Sequence, residues 1–277
     1  MKYDPIKSSL GNFFNKSPYL RILFYKLLDL LLLRTWHVKK AVRSWKKLHG
    51  GEKQILDAGS GFGQYSYYLA SRVKNARITA VDVKEEQIRD CNAFFDRIGL
   101  NNTSFMEADL TKYVEENTFD FILSVDVMEH IEEDVLVFKN FHKSLKDGGM
   151  VLISTPSDQG GSDVHHHDHD EAYNNDGSKS FIDEHVRDGY NINEIQEKLR
   201  TAGFSKTEAR YQYGAPGKIS WRLSMKYPIL ILNRSKAFAP LLFIYYLVVF
   251  PFCLALNVVD VNSKHKTGTG LIVKAWK

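Results

Sequence analysis

Cysteine is scarce in this chain, with two residues among 277. Two cysteines allow at most one disulfide, and neither Cys91 nor Cys253 lies at the spacing of a zinc-binding motif. A disulfide-stabilised secreted scaffold is therefore excluded, and a reducing, cytoplasmic location is expected. The opening residues 1–16 are polar, so we predict no secretory signal there. We also find no internal repeat and no low-complexity tract.

The chain also lacks a strong net charge. Its 37 basic and 33 acidic residues leave a formal charge of +4, which is not typical of a nucleic-acid-binding protein. The charge is nevertheless uneven, because residues 34–47 contain basic residues and no acid. The basic residues are Arg34, Lys39, Lys40, Arg43, Lys46 and Lys47. Such a stretch either faces anionic lipid or forms an ordinary solvated helix face, and the sequence leaves both open.

An apolar helix is predicted for residues 19–36, just ahead of the basic stretch. Its apolar side chains recur at intervals of three and four residues, and Pro18 suits a first helical turn. The stripe consists of Leu20, Leu23, Phe24, Leu27, Leu28, Leu31 and Leu32. We assign residues 1–50 to an N-terminal helical cap and residues 51–277 to the main domain.

From Lys53 onward, short apolar segments alternate with amphipathic ones. Such alternation is typical of an α/β fold whose parallel sheet carries helices on both faces. A helix is predicted for 132–146, ended by Gly148 and Gly149, and another begins at Asn191 and stops at Gly203. The predicted strands are 54–58, 76–83, 105–108, 119–125, 150–155, 207–213 and 269–276.

Two insertions interrupt this alternation. Residues 156–189 are polar and too long for an ordinary connection, which indicates a lid or a small inserted structure. A second insertion, at 218–266, contains the uncharged run 237–259, which is long enough to cross a membrane. Pro240 and Pro251 interrupt that run and a strand must follow it, so a hairpin or interfacial helices are expected instead. Burial against the helix at 19–33 and membrane contact remain alternatives, and both can hold.

The most informative segment is 55–65, where an apolar strand passes into three glycines, Gly59, Gly61 and Gly63. Glycines allow the backbone to approach a ligand closely. A glycine-rich turn alone also fits a dinucleotide-dependent oxidoreductase. Asp57 disfavours that alternative, because a carboxylate there would repel a pyrophosphate but could pair with an α-amino group.

Two further acids end the next two predicted strands, Asp82 and Asp109. Carboxylate oxygens accept hydrogen bonds, so Asp82 matches a pair of ribose hydroxyls and Asp109 an adenine amino group. Three acids along one sheet edge describe a ligand that joins a cationic amino acid to a nucleoside.

Together these segments resemble the motif series of class I S-adenosylmethionine-dependent methyltransferases. The resemblance covers about residues 50–160, with a weaker match at 185–204. Within the class it is closest to the type 11 group, which includes ubiquinone-biosynthesis O-methyltransferases. The segments that carry it are 55–65, 80–83, 107–110, 119–131 and 145–156.

The resemblance implies a Rossmann-like, seven-stranded, mostly parallel sheet with the last strand antiparallel, here joined by a helical apolar cap. It implies S-adenosyl-L-methionine as the cofactor, lined by Gly59, Gly61 and Gly63. Asp82 would hold the ribose, Asp109 and Leu110 would flank the adenine, and Val125 would offer its backbone to the methionine end.

Methyl transfer to a hydroxyl needs a base, and histidine is the usual choice. His130 follows the fourth strand, where it acts as a base or only orders a helix start. His185 lies in the polar insertion, where it is a base or a loop anchor. The run His-His-His-Asp-His-Asp at 165–170 fits a solvated loop, a substrate contact or a metal ligand set. We predict no metal.

An apolar cap near the cofactor predicts an apolar or lipid-like acceptor, methylated at oxygen. We expect an enzyme in the cytoplasm that contacts the inner membrane surface peripherally and binds no nucleic acid. The alternatives are methylation of a soluble small molecule or a protein, and a non-catalytic, membrane-associated binding protein with this fold. The sequence gives no indication of oligomeric state.

Overall fold

The computed structural model of the chain describes residues 17–48, 50–160, 186–235 and 238–277. His185 and the histidine-rich run 165–170 lie outside the described residues, as does most of the polar insertion predicted at 156–189.

A single sheet of seven strands organises the fold, in the order β3-β2-β1-β4-β5-β7-β6. Strands β1 to β5 are parallel to one another, and β7 is antiparallel to both β5 and β6. The predicted α/β fold class, with an antiparallel last strand, is confirmed. The strands are β1 (Lys53–Ala58), β2 (Ala76–Asp82), β3 (Thr103–Glu107), β4 (Phe119–Val125), β5 (Leu145–Pro156), β6 (Lys206–Gln212) and β7 (Gly270–Trp276).

The fifth strand begins five residues before the predicted start at 150. Leu145 already pairs with Phe119, and the pairing passes through a register shift before Met150. The preceding helix therefore ends at Ser144, so the prediction that Gly148 and Gly149 end it is wrong. Strand pairing with β4 outweighs the helical spacing of the apolar residues at this point.

The predicted helix at 19–36 is two helices, α1 (Pro18–Leu31) and α2 (Leu33–Leu48). The helix is interrupted at Leu32, whose backbone is extended with φ −90° and ψ 108°. The side chains that α1 buries are Arg21 and Tyr25, whereas Leu23 is 48% exposed. The leucine stripe is therefore not the buried face of α1. This helix packs on the domain through Tyr25, in the cluster that contains Phe94, and through hydrogen bonds of the buried Arg21.

Helices cover both faces of the sheet. They are α3 (Gln64–Arg72), α4 (Glu85–Arg97), α5 (Asp134–Ser144) and α6 (Ile192–Thr201). On one face Phe138 and Phe141 of α5 pack on Ile122 of β4. On the other face Trp45 of α2 stacks on Phe121 at 4.5 Å between ring centroids. Ile122 and Phe121 point to opposite faces because side chains alternate along a strand.

The apolar insertion forms a helical hairpin between β6 and β7. One arm consists of α7 (Ala215–Trp221), a π-helical turn (Arg222–Lys226) and α8 (Tyr227–Arg234), and the other arm is α9 (Ala239–Asn262). Contacts from Gly217 to Asp260 and from Ser224 to Tyr246 show that the arms are antiparallel. We call residues 215–262 the helical hairpin.

Pro251 lies inside α9 and does not interrupt it, so the predicted break at this residue is wrong. A proline removes one backbone hydrogen bond from a helix. Here contacts with the other arm of the hairpin hold the helix on both sides of Pro251, from Tyr246 to the π-helical turn and from Cys253 to α7. Of the alternatives left open for this run, burial against the 19–33 helix is not its main packing, since α9 packs mainly on α7, the π-helical turn and α2.

Candidate cofactor and acceptor site

The predicted cofactor residues meet at one edge of the sheet. Because β1, β2, β3 and β4 are parallel and adjacent, their carboxyl ends share that edge. Asp57 and Asp82 lie in the last two positions of β1 and β2, and Asp109 follows the end of β3 by two residues. The structure thus brings the three acids together, at the edge where the glycine turn begins.

The three glycines of the turn all have positive φ, of +80° at Gly59, +53° at Gly61 and +81° at Gly63. A Cβ at Gly59 would lie 2.2 Å from Val127, and one at Gly63 would lie 3.1 Å from Cys91. At both positions, neighbouring side chains of the protein already fill the space that a Cβ would need. The nearest atom to a Cβ at Gly61 is 3.9 Å away, so Gly61 faces open space that a ligand can occupy.

Asp82 shapes this turn. Its Oδ2 accepts a hydrogen bond from the Gly61 backbone N–H at 2.8 Å, and its Oδ1 accepts one from Lys84 N–H at 3.0 Å. A carboxylate oxygen has two lone pairs, so each oxygen can still accept from a ligand hydroxyl. The sequence suggested only the ligand contact and missed this contact with the turn.

Asp57 is 2% exposed, and Ser66 donates to its Oδ2 at 2.5 Å. Burial raises the pKa of this carboxyl to about 7, and the nearby charge of Asp82 adds to the effect. A cation placed against such a carboxyl favours its ionised form. The α-ammonium group of an amino acid therefore fits this position.

Asp109 is partly exposed and is held by its own turn. Thr111 donates to Oδ1 from its side chain at 2.8 Å and from its backbone at 2.9 Å, which lowers the pKa of the carboxyl. Leu110 is buried, and its carbonyl accepts from Asn140 at 2.9 Å. Val125 is the last residue of β4 and is half-buried.

Several polar atoms at this edge are buried without a hydrogen-bond partner. Among the residues that the structure describes, they include the hydroxyls of Ser60 and Ser124 and Oδ1 of Asp126. Buried polar groups are normally paired, so these atoms mark positions where a ligand can supply partners. Asp126 also has a φ of +53°, which is uncommon for a residue other than glycine.

Helix α1 is joined to the glycine turn by hydrogen bonds of its side chains. Arg21 donates to the Phe62 carbonyl at 2.8 Å and to Asp90 at 2.6 Å, and the Tyr25 hydroxyl donates to the same carbonyl at 2.5 Å. Gln64 donates to Asp29 of α1 at 2.9 Å. Helix α1 therefore contributes to the site, because its side chains donate hydrogen bonds to a backbone carbonyl of the glycine turn.

The start of α2 closes the side of the site next to β4. Arg34 forms an ion pair with Asp126, and its backbone N–H donates to the Tyr213 hydroxyl at 2.9 Å. The hydroxyls of Thr35 and Tyr65 lie 3.4 Å apart. Arg34, Tyr65 and Tyr213 were not among the predicted site residues. Arg34 and Tyr213 meet only because the chain folds back over 179 residues.

His130 is half-buried and ends the 3-10 turn Met128–His130 that follows β4. Glu129 beside it is buried and accepts from the Thr155 hydroxyl at 3.1 Å, and its carbonyl accepts from Val186 N–H at 3.1 Å. His130 is thus at the correct strand end for a base, and that role stays a prediction. Within the described ranges, we find no group of three or more metal-ligating side chains.

Residues 55–149 match the model of a family described as "Methyltransferase domain". The chain is 37% identical over 109 residues to phosphoethanolamine N-methyltransferase 1 of Arabidopsis thaliana, covering 39% of this chain and 21% of that protein. It is 29% identical over 102 residues to malonyl-[acyl-carrier protein] O-methyltransferase 2 of Ilyobacter polytropus, covering 36% and 38%. The chain thus spans only a fifth to two fifths of these relatives.

Solved structures resemble a larger part of the chain. Phosphoethanolamine N-methyltransferase 2 of Haemonchus contortus, in complex with S-adenosyl-L-methionine, has a TM-score of 0.56 at 17% identity and covers 92% of this chain and 60% of its own. The [4+2]-cyclase SpnF has a TM-score of 0.53 at 15% identity, covering 87% and 80%. These likenesses confirm the Rossmann-like fold. The family match supports the predicted enzyme class and its cofactor.

Proposed function

We propose that this chain transfers a methyl group from S-adenosyl-L-methionine to an apolar or lipid-like small molecule in the cytoplasm, at an oxygen atom. The observation that carries the proposal is the glycine turn between Asp57 and Asp82, within the segment that matches methyltransferase domains. When bound, S-adenosyl-L-methionine supplies a methyl group already activated by its sulfonium.

The chain's own residues bind and orient that cofactor. The Asp57 carboxyl binds the α-ammonium group, and the free lone pairs of Asp82 bind the ribose hydroxyls. Gly61 leaves room for the ligand, because a Cβ there has no neighbour closer than 3.9 Å. Asp109 and Leu110 flank the adenine, and the backbone of Val125 faces the methionine end.

The acceptor binds between β4, the start of α2 and the base of the helical hairpin. Arg34, Asp126 and Tyr213 lie there, joined by the ion pair and the hydrogen bond described above. Alignment of the acceptor atom with the methyl group and exclusion of water are the main tasks of such a site. His130 takes the proton from an acceptor hydroxyl.

An apolar acceptor is supported by what adjoins this side of the site. Tyr213 is followed directly by the helical hairpin, whose exposed residues are largely apolar. The likeness to ubiquinone-biosynthesis O-methyltransferases that we propose from the sequence would place a quinone precursor in this class of acceptor. The choice of oxygen rests on His130.

A second candidate is methylation of nitrogen on a soluble small molecule. It is favoured by the relatives' names, since phosphoethanolamine N-methyltransferase 1 and (S)-coclaurine N-methyltransferase of Papaver somniferum both match more than a third of the chain. An amine acceptor that binds in its neutral form would not require His130 as a base. The two candidates therefore differ in the solubility of the acceptor and in the effect of replacing His130.

Both candidates are tested by incubating the purified chain with methyl-tritiated S-adenosyl-L-methionine and separate lipid and soluble extracts. Label in an organic-phase product, with mass analysis showing an added methyl on oxygen, is the expected result. Label in the aqueous phase would favour the second candidate. Cofactor binding without label in either extract, or in protein, would instead support a non-catalytic binding protein.

The cofactor is tested by calorimetry with S-adenosyl-L-methionine and with NAD. We expect binding of the former and none of the latter. Asp82→Ala should weaken binding by about 1–3 kcal/mol, since it strands hydrogen-bond donors of the ligand and the turn. Glu52→Ala, an exposed acid at the other end of the sheet, is the control. Unchanged affinity in Asp82→Ala would remove that residue from the site.

A further inference from the structure

The helical hairpin exposes apolar side chains along the whole length of α9, and the proposed reaction does not use them. The segment Pro240–Asn262 has 23 residues, and its most apolar window has a mean hydropathy of 2.3 with only 17% of its residues buried. A core helix of this composition would be mostly buried. The residues at least 50% exposed are Leu241, Phe243, Ile244, Leu247, Val248, Phe252, Val258 and Val259.

The other arm of the hairpin carries cations and aromatic side chains. Lys218, Arg222 and Lys226 recur every four residues, which places them along one side of the α7 arm. Trp221 and Tyr227 are 41% and 45% exposed between and beside them. Aromatic residues next to lysine and arginine are typical of segments that lie at the boundary between lipid headgroups and acyl chains.

The two arms are joined by a seam of small and hydroxylated residues. Gly217, Ser220 and Ser224 are buried in this seam. Ser220 donates to the Cys253 carbonyl at 3.2 Å, and the Tyr246 hydroxyl donates to the Ser224 carbonyl at 2.6 Å. The two arms therefore form one packed unit, and the exposed apolar side chains of α9 lie outside the seam.

Buried contacts fix the base of the hairpin to the domain. Asp260 of α9 is fully buried and contacts His37 of α2 at 2.9 Å. Lys40 of α2 donates to the Val261 carbonyl at 2.9 Å and to Asn262 at 2.7 Å. The orientation of the exposed face relative to the cofactor edge is therefore set by α2.

The strands on either side of the hairpin make a membrane crossing unfavourable. The hairpin leaves β6 and returns to β7, which pair with each other from Gln212 and Gly270 onward. A single crossing by α9 would put β7 on the far side of the membrane. A crossing by both arms would place Lys218, Arg222 and Lys226 in the hydrocarbon region, at high cost. The hairpin can instead lie flat, with its cations at the headgroups.

We propose that the helical hairpin docks the chain on the surface of a bilayer that contains anionic lipid. The exposed face of α9 enters the boundary of the acyl chains, and Lys218, Arg222 and Lys226 pair with anionic headgroups. Arg34 and Tyr213 lie at the base of the hairpin, so the acceptor side of the site adjoins the membrane. Docking does not depend on methyl transfer and can be measured without it.

The test is flotation of the purified full chain with phosphatidylcholine vesicles, with and without about a third of phosphatidylserine. We expect stable flotation with the mixed vesicles and weaker flotation with the neutral ones. The double variant Leu247→Asp with Val248→Asp should lose at least tenfold in binding to both. Leu136→Asp, a partly exposed leucine of α5, is the matched control and should float like the parent chain.

The electrostatic part is tested separately with Lys218→Ser and Arg222→Ser. Each should weaken binding to mixed vesicles about fivefold, an effect that high salt reduces. Thermal melting and cofactor binding show whether each variant is folded, and the serine variants decide the question if the aspartate variant is not.

Three results would overturn the proposal. One is a parent chain that does not float with mixed vesicles. Another is unchanged flotation of a folded Leu247→Asp, Val248→Asp variant. The third is a stable dimer in solution that this variant converts to monomer, because the apolar face would then belong to a second copy of the chain.

Discussion

His37 and Asp260 form a buried hydrogen-bonded pair that joins α2 to the end of the helical hairpin. The His37 Nε2 and Asp260 Oδ1 atoms are 2.9 Å apart, and the side chains are 1% and 0% exposed. Burial opposes ionisation of Asp260, but the hydrogen bond from His37 and the electrostatic effect of the nearby His265 outweigh it and lower the pKa of Asp260. Backbone N–H groups of Gly217 and Tyr213 also donate to this carboxylate.

Asp260→Ala should therefore destabilise the protein strongly, by about 3–5 kcal/mol, because the buried donors of His37, Gly217 and Tyr213 lose their acceptor. Urea unfolding followed by circular dichroism measures the change. Glu52→Ala, which removes an exposed ion pair with Arg77, should cost less than about 1 kcal/mol. A loss of similar size in both variants would mean that the buried pair contributes little.

The pH dependence of stability should report on His37. Burial lowers its pKa below the usual 6.5, although its bond to Asp260 opposes the shift. As pH falls below about 6.5, the unfolded chain takes up the proton before the folded one does, so stability falls. His37→Gln should flatten this acid limb between about pH 7 and 5. An unchanged limb in that variant would assign it to other groups.

Cofactor binding should be linked to the proton of Asp57. The pKa of this carboxyl is raised to about 7, so at lower pH the folded, empty protein carries the proton. Binding an ammonium group should expel it, with release of about one proton near pH 5.5 and almost none near pH 9. Calorimetry in buffers of different ionisation enthalpy measures the release. Persistence of the full release in Asp57→Asn would show that another group supplies the proton.

Gly61 and Gly148 provide a matched test of the open side of the turn. Both have positive φ, +53° and +74°, and a Cβ at either meets nothing closer than 3.9 Å in the described part of the chain. Alanine should cost about 1–2 kcal/mol of stability at each, from the backbone alone. Only Gly61→Ala should weaken S-adenosyl-L-methionine binding. Equal affinities of the two variants would place the ligand away from Gly61.

His130→Ala should lose turnover of a hydroxyl acceptor by about 10²–10⁴-fold while keeping its affinity for the cofactor. His130 ends the turn after β4, so its side chain is not needed to form the glycine turn. His185→Ala is the companion variant, since both were candidate bases from the sequence. Full activity in both variants would indicate an acceptor that is not deprotonated by either histidine.

The strands and the cofactor edge could be predicted because their signals are local. The predicted strand 119–125 is the observed Phe119–Val125, and an acid lies within two residues of the end of each of the first three strands. These patterns depend on burial and on short-range spacing, which the sequence displays directly. The three glycines of the turn could be predicted for the same reason, since they lie close together in the sequence.

The acceptor side could not be predicted, because its residues come together over long distances in the chain. Arg34 and Tyr213 give no periodic signal that one will contact the other. The burial of Arg21 could not be predicted either, because its partner Phe62 lies 41 residues away in the sequence. A leucine stripe suggested a different buried face of α1, whereas the guanidinium is buried because it bonds to the carbonyl of Phe62.

The position of β7 has a consequence for how the chain is made. It fills the gap between β5 and β6, but it follows both of them and the helical hairpin in the sequence. During synthesis the sheet therefore stays split until β7 has been translated, at a time when α9 has already been made. Closure of the sheet is therefore the step of folding that waits for β7.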